Sequence, residues 1–304
     1  MSGEGSSVLV VRPSSLGDIV YALAVAADIR RARPALAVDW VSEPGFAPLA
    51  SGTWRDIAAF RADLRRTRYV AILDLQEQLK GALIARAARG VRHGFDRASI
   101  REPLATLGDD IHHRVPRDLH FLARCRRLAA AALGYAAPEA PRWNLRVPAS
   151  APAMPDRAYA VVLHGTSRDD KLWPEAHWRS VLDMLERAGL ATVLPWGSDA
   201  EEARSRRLGD GFAHAVVPPW LSLPEAAAML ANATLAIGVD TGFTHLAAAL
   251  GTPCVAIFVA TDRARHGVAC AGPHAQDLGD AGAPPAPDAV LAATGELLRR
   301  APRC

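Results

Sequence analysis

Short apolar runs separated by longer stretches of mixed character set the rhythm of this chain. Residues 8–12 form an apolar run, and 19–33 place apolar side chains at helical spacing until Pro34 stops them. Residues 37–41 and 70–75 are again strand-like, while 76–89 and 120–133 read as helices. Strand and helix patterns in alternation predict βαβ units and a parallel sheet. Pro138, Pro141, Pro148, Pro152 and Pro155 then fall in a stretch that cannot be regular helix and reads as a linker.

Beyond that stretch the rhythm restarts. Strands are predicted at 159–163, 192–195, 215–217, 235–239 and 255–259, with helices at 175–188, 201–208 and 223–232 between them. A Pro/Gly-rich segment, 279–287, precedes a last helix over 288–300. The expected organisation is therefore α/β throughout: a first Rossmann-like domain over 1–150, a second over 151–285, and a terminal helix over 286–304 that packs back toward the first domain. Two such domains joined by a hinge face a central cleft, where ligands meet the carboxyl ends of the strands.

Length and composition agree with two domains, since 304 residues that are 50% apolar can fill two cores. Charge adds an asymmetry to the net +3. Residues 1–150 hold 22 Lys/Arg against 15 Asp/Glu, or +7, and residues 151–304 hold 13 against 17, or −4. A basic first half suits an anionic partner, or else reflects arginines on solvated helix faces. The four cysteines have neither C-x-x-C spacing nor metal-ligand company, which points to a reducing compartment and away from zinc. With no leader pattern and no apolar run of membrane-spanning length, the expectation is a soluble cytoplasmic protein.

Three strand-end segments carry candidate chemistry. Asp240-Thr241-Gly242-Phe243-Thr244-His245 ends an apolar strand and opens an Ala-rich helix. Free N–H groups and the positive dipole end of that helix suit a phosphate, while a plain turn capped by Asp240 or Thr241 explains the same letters. His245 lies four positions after Thr241, on the same helix face, as a diphosphate donor or a structural histidine. Thr166, Ser167 and Lys171 follow the strand at 159–163 and form a second phosphate-suited loop, next to Asp169 and Asp170. Those two carboxylates fit there only if they turn outward or pair with Arg168. Trp173 and Trp178 read as packing residues. Glu201, in Trp196-Gly197-Ser198-Asp199-Ala200-Glu201, is either a ribose acceptor or a first-turn carboxylate answering the helix dipole. Lys171 stands out because only it and Lys80 are lysines among 35 basic residues.

The remaining segment is Arg12-Pro13-Ser14-Ser15-Leu16-Gly17-Asp18, directly after the first strand. It lacks both the dinucleotide and the Walker A glycine patterns, which argues against dehydrogenase and NTPase chemistry. Asp18 is either an N-cap or a carboxylate placed to take a proton from a substrate hydroxyl.

Taken together, these segments resemble the bacterial lipopolysaccharide heptosyltransferases, inverting enzymes of the GT-B fold. The resemblance rests on Ser-x-x-Gly-Asp at 14–18 and Asp-Thr-Gly-x-x-His at 240–245, which are family-wide. Nearer to the members that act first, on Kdo2-lipid A, are Asp39-Trp40-Val41 with Glu43-x-Gly45-Phe46, Arg101-Glu102-Pro103-Leu104, Arg168-Asp169-Asp170-Lys171-x-Trp173-Pro174, and Leu194-Pro195-Trp196-Gly197.

The resemblance implies roles. Asp18 becomes the general base. Thr166, Ser167, Lys171, Thr241, Gly242 and His245 hold the diphosphate of ADP-heptose, Glu201 contacts its ribose, and Asp240 touches the sugar or shapes its loop. Ser14, Ser15, Gly17, Arg65, Arg66 and Arg101 are drawn to the acceptor, Kdo2-lipid A, at the cytoplasmic face of the inner membrane. The basic first half would dock to anionic headgroups there. Neither metal nor cofactor is expected, and no nucleic acid. Three departures stand out. The chain is short between Phe46 and Arg55, with Arg61, Arg65, Arg66 and Arg68 downstream either as partial replacements for a basic loop or as an exposed helix face. Glu77 stands where relatives carry glycine. Val259-Ala260-Thr261-Asp262 replaces Gly-Pro-Thr-Asp.

Overall fold

The computed structural model describes residues 7–43, 46, 57–149 and 151–300. Gly45 of the resemblance motif, and the segment 47–55 and the side chain of Arg61 weighed above for acceptor binding, lie outside the described residues. The chain divides into two compact units, Met1–Asn144 and Leu145–Cys304, so the boundary falls within the proline-studded stretch and slightly before residue 150.

In the first unit the strands are β1 (Ser7–Val11), β2 (Ala37–Val41), β3 (Arg68–Asp74), β4 (Arg89–Phe95) and β5 (Ile111–His113). They form one sheet in the order β2-β1-β3-β4-β5, and every neighbouring pair is parallel. Helices α1 (Leu16–Ala32), α2 (Ile57–Arg66), α3 (Leu79–Ala87) and α4 (Phe121–Leu133) connect and cover it. β1 is buried almost throughout because both faces are covered, which is why it reads as a continuous apolar run. Strand order reverses between β1 and β3, so the switch point of this sheet lies at the loops after Val11 and Asp74.

The second unit contains β6 (Tyr159–Leu163), β7 (Ala191–Val193), β8 (Ala215–Val216), β9 (Leu235–Val239), β10 (Cys254–Phe258) and β11 (Ala275–Gly279). Its order, β11-β10-β9-β6-β7-β8, is the doubly wound dinucleotide-type arrangement, again all parallel. The helices are α5 (Glu175–Arg187), α6 (Asp199–Gly209), α7 (Leu223–Ala231), α8 (Gly242–Leu250), the short α9 (Arg263–His266) and α10 (Pro287–Arg300). Trp173 and Trp178 are buried in the core on the α5 side, stacked edge to face at 5.1 Å.

The terminal helix supplies one wall of the second core. Val290, Ala293 and Leu297 of α10 belong to the same core as Trp178 and Leu182 of α5 and Ile257 of β10. Its apolar face is thus committed to the second sheet, and α10 is a layer of that unit. Among the described residues no helix is long and apolar enough to cross a membrane.

Candidate active site

The switch point of the second sheet lies between β6 and β9, and both phosphate-suited segments begin there. A pocket with about 440 Å³ of open space sits at this edge. Gly165, Thr166 and Ser167 line it from the loop after β6, Pro195, Trp196 and Gly197 from the loop after β7, and Thr241 and Phe243 from the start of α8. Glu201 closes it from α6. Apolar walls from Trp196, Pro195 and Phe243 beside a few polar groups suit a heterocyclic base and the sugar attached to it.

Thr241 is the N-cap of α8, so the first N–H groups of the helix, at Gly242 and Phe243, have no carbonyl ahead of them in the helix. Next to this helix start, Lys171 Nζ donates to Asp240 Oδ2 at 2.6 Å, and His245 Nε2 lies 3.1 Å from Asp240 Oδ1. The pair binds the loop after β6 to the loop after β9. Burial opposes the charge of Asp240, but the hydrogen bond and charge of His245, with those of Lys171, outweigh it and hold the carboxyl far below the usual range. Asp240 is therefore an anchored anion with both oxygens engaged, and the lysine beside it keeps two further N–H donors. The awkward neighbours resolve themselves: Asp170 pairs with Arg168, whose Nε lies 3.0 Å from Oδ1.

Glu201 has two neighbours that fix it. Its Oε2 accepts from Gly197 N at 2.7 Å. A Cβ on residue 165 would fall 2.4 Å from its Oε1, so only glycine permits this approach. Behind Gly165, His164 Nε2 and Ser205 Oγ are 2.7 Å apart and buried, joining the end of β6 to α6. Gly165, Trp196 and Phe243, which also line the pocket, are not among the residues expected from the sequence, although each lies in or next to a strand-end segment.

In the first unit, Ser14, Ser15, Gly17 and Asp18 follow β1 at that sheet's switch point. Asp18 is an N-cap partner and something more. Its Oδ2 accepts from Ser15 N at 3.2 Å and from Ser15 Oγ at 3.1 Å, and it meets Arg12 Nη2 at 2.5 Å. Among the described residues Oδ1 has no partner, and the side chain is 24% exposed. Burial raises its pKa, but the Arg12 charge and these hydrogen bonds overcome that and leave it below the usual carboxylate range. Arg12, not singled out from the sequence, is buried with its guanidinium 4.7 Å over the Phe121 ring.

The arginines assigned to the acceptor separate. Arg101 lies after β4, on the same carboxyl edge as Asp18. Arg65 and Arg66 close α2 just before β3 begins, and the β1/β3 register sets Val11 beside Asp74 at the other end. In a parallel sheet that leaves them one strand length, roughly 20 Å, from the Asp18 loop. They cannot touch a hydroxyl held there. Glu77 adopts φ 61°, the conformation that glycine would favour, and pairs with buried Arg124 at 2.5 Å. Among the described residues no cluster of His, Cys, Asp or Glu could hold a metal ion.

Comparison with known proteins decides the family. The sequence profile of glycosyltransferase family 9 (heptosyltransferase) matches residues 57–280. The chain belongs to this family. It is 38% identical over 286 residues to lipopolysaccharide heptosyltransferase 1 of Escherichia coli K12, covering 84% of this chain and 88% of that one. It is also 38% identical over 280 residues to the protein of that name from Pseudomonas aeruginosa, covering 84% and 79%. Heptosyltransferase 3 of E. coli matches 34% of the chain, at 36% identity over 110 residues covering 32% of its length. Among solved structures, an E. coli heptosyltransferase with ADP superposes with a TM-score of 0.83 at 34% identity, covering 96% of this chain and 99% of that one. Its complex with ADP-2-deoxy-2-fluoro heptose gives 0.81 at 33%, covering 97% and 99%. The GT-B architecture of two parallel-sheet α/β domains follows from these and from the topology described above.

Proposed function

We propose that this family 9 glycosyltransferase moves L-glycero-D-manno-heptose from ADP-heptose to a Kdo hydroxyl of Kdo2-lipid A, in synthesis of the lipopolysaccharide inner core. The observation that carries the reading is the pocket at the second switch point, with Lys171 held by Asp240 beside the open start of α8. It supplies what a nucleoside diphosphate needs: apolar walls, a hydroxyl acceptor in Glu201, a cation and free N–H groups. Similarity over most of the chain to proteins named heptosyltransferase 1, against a third of it for heptosyltransferase 3, supports the first acceptor over a later one.

In this reading the adenosine lies against Trp196 and Phe243, and its ribose hydroxyls donate to Glu201. Thr166, Ser167, Lys171, Thr241 and the N–H groups of Gly242 and Phe243 at the helix start receive the diphosphate, and His245 acts through Asp240. Asp18 works on the acceptor. Oδ2 is fixed by Arg12 and Ser15, leaving Oδ1 to accept the hydroxyl proton as the oxygen attacks the anomeric carbon. The bond to the diphosphate breaks on the opposite face, ADP leaves with its charge met by Lys171 and the helix start, and the configuration inverts. Ser14, Ser15, Gly17 and Arg101 frame the acceptor sugar, and the protein works as a peripheral protein at the cytoplasmic face of the inner membrane.

The deciding experiment supplies ADP-heptose with either Kdo2-lipid A or its monoheptosylated form. Transfer to the former alone is expected, and transfer only to the latter overturns the acceptor assignment. Asp18→Ala should lower transfer on the order of 10³-fold while leaving ADP affinity unchanged. An active Asp18→Ala enzyme removes the general-base role.

A further inference from the structure

Four leucines stand in solvent on two adjacent elements of the first unit. Leu79 and Leu83 on α3 are 45% and 68% exposed, and Leu104 and Leu107 on the 3-10 turn Pro103–Gly108 are 61% and 74% exposed. Spacing of four on an α-helix and of three on a 3-10 turn keeps each pair on one face. The two elements run side by side in the same direction. Glu102 Oε2 accepts from Leu79 N at 2.9 Å at one end, and Arg86 Nη1 donates to Leu107 O at 2.8 Å at the other. Between these points the packing is close, since a Cβ on residue 108 would fall 2.5 Å from that of Ala82. The result is a double ridge of leucines beginning beside the switch point of the first sheet.

Charge brackets the ridge. Arg101 lies at its start, and Arg86, Arg89 and Arg65 gather at its far end, where Arg89 Nη1 reaches Arg65 O at 3.4 Å. None of these four arginines has a carboxylate oxygen within ion-pair distance among the described residues, although Arg101 feels the charge of Glu102 and Arg86 that of Asp110, and nearby Asp110 and Glu43 are paired with Arg92 and Lys80. A second copy laid symmetrically on the ridge would bring arginine toward arginine. An anionic bilayer satisfies both features at once, accepting leucines among its acyl chains and arginines among its phosphates.

We infer that the leucine ridge of α3 and residues 103–108, with its arginine ends, is the surface by which this protein seats on an anionic lipid bilayer. The inference rests on the reading of a lipid-borne acceptor, and it gives Arg65 a role that its distance from Asp18 denied it. Seating here would set the switch-point loop of the first sheet next to the membrane surface.

The test is cosedimentation with vesicles of phosphatidylcholine, with and without phosphatidylglycerol and containing no acceptor, comparing wild type with the Leu83→Glu/Leu107→Glu variant. Wild type should bind the anionic vesicles on the order of tenfold more than the variant and more than neutral vesicles. The variant should keep its ADP affinity and its transfer to an acyl-free acceptor, which shows that it is folded. Should it lose ADP binding, Leu79→Ser/Leu104→Ser replaces it under the same comparison. Equal vesicle binding by a folded variant overturns the ridge while leaving the function standing. Vesicle binding without any heptose transfer supports the ridge and removes the function. A wild-type dimer that the variant abolishes, with no vesicle binding, assigns the ridge to a second copy and overturns the inference.

Discussion

Lys171 Nζ lies 2.6 Å from Asp240 Oδ2, and this one contact joins the two loops that flank the switch point of the second sheet. The lysine is 18% exposed and the aspartate 8%, so the pair sits at the border of the core, where removing one partner strands the other. It also explains how an aspartate can stand beside an expected diphosphate: its charge is met by the Lys171 ammonium on one oxygen, and its other oxygen is engaged by His245.

Lys171→Ala should therefore cost in two currencies of measurement. ADP affinity falls by about tenfold to a hundredfold through loss of a charged donor, and stability falls by about 2–3 kcal/mol through the stranded Asp240. Lys171→Ala/Asp240→Asn recovers most of the stability and none of the affinity. Calorimetric ADP titration and thermal melts separate the two effects, and unchanged ADP affinity in Lys171→Ala rejects the phosphate role.

Gly165→Ala is expected to act only through Glu201. The new methyl displaces the carboxylate, which now stands 2.4 Å from where Cβ would be, and breaks its bond to Gly197 N. ADP binding should weaken on the order of tenfold in Gly165→Ala and in Glu201→Ala, and no further in the double variant. Additive losses in that cycle would mean that Gly165 serves the pocket by another route.

Much of this site was legible in order along the chain. Lys171, Asp240 and His245 were singled out because each follows an apolar run, and strand ends are where parallel sheets gather their ligands. The strands hardest to read are those whose burial the sequence does not advertise. β4 reads RGVRHGF and is exposed or half-exposed over its first four residues, and edge strand β11 reads AQDLG. The side chosen by α10 was equally hidden, because an amphipathic helix states which face is apolar but not which sheet receives it. The Arg12–Asp18 pair depends on the loop's path, and so does the cap itself: the N-cap is Ser15, with Asp18 as its partner three residues on.

Glu77 illustrates a departure that the fold explains. A residue at φ 61° gains about 1 kcal/mol from being glycine, yet Glu77 pairs with Arg124, whose Nη2 also donates to Ser99 O at 2.6 Å and whose guanidinium lies 4.7 Å over the Phe95 ring. Glu77→Gly relieves the backbone and strands a buried guanidinium, so denaturant melts should show a net loss of about 2–3 kcal/mol. Adding Arg124→Met should return most of it. A stabilised Glu77→Gly protein would mean that the ion pair contributes nothing.

Alkaline sensitivity should trace to the first unit. Burial, reinforced by the Asp109 charge, raises the Asp74 carboxyl to about 8, and burial with the Asp110 charge raises Asp109 to about 7. Both groups bind protons in the folded state that the unfolded chain releases above about pH 4, so stability declines as pH rises toward 8. Buried His93 and half-buried His113 are shifted down and act in the opposite direction, but only below about pH 6.5, where an unfolded histidine titrates. Between about pH 6.5 and 8 the carboxyl pair is left to set the slope. Asp74→Asn keeps an oxygen for the Gln76 N–H, now accepted by Oδ1 at 2.8 Å, and removes the ionisation. Calorimetry across this window should show the first unit's transition falling with pH in the wild type and much less in Asp74→Asn. Parallel slopes in the two proteins would exclude Asp74 as the titrating group.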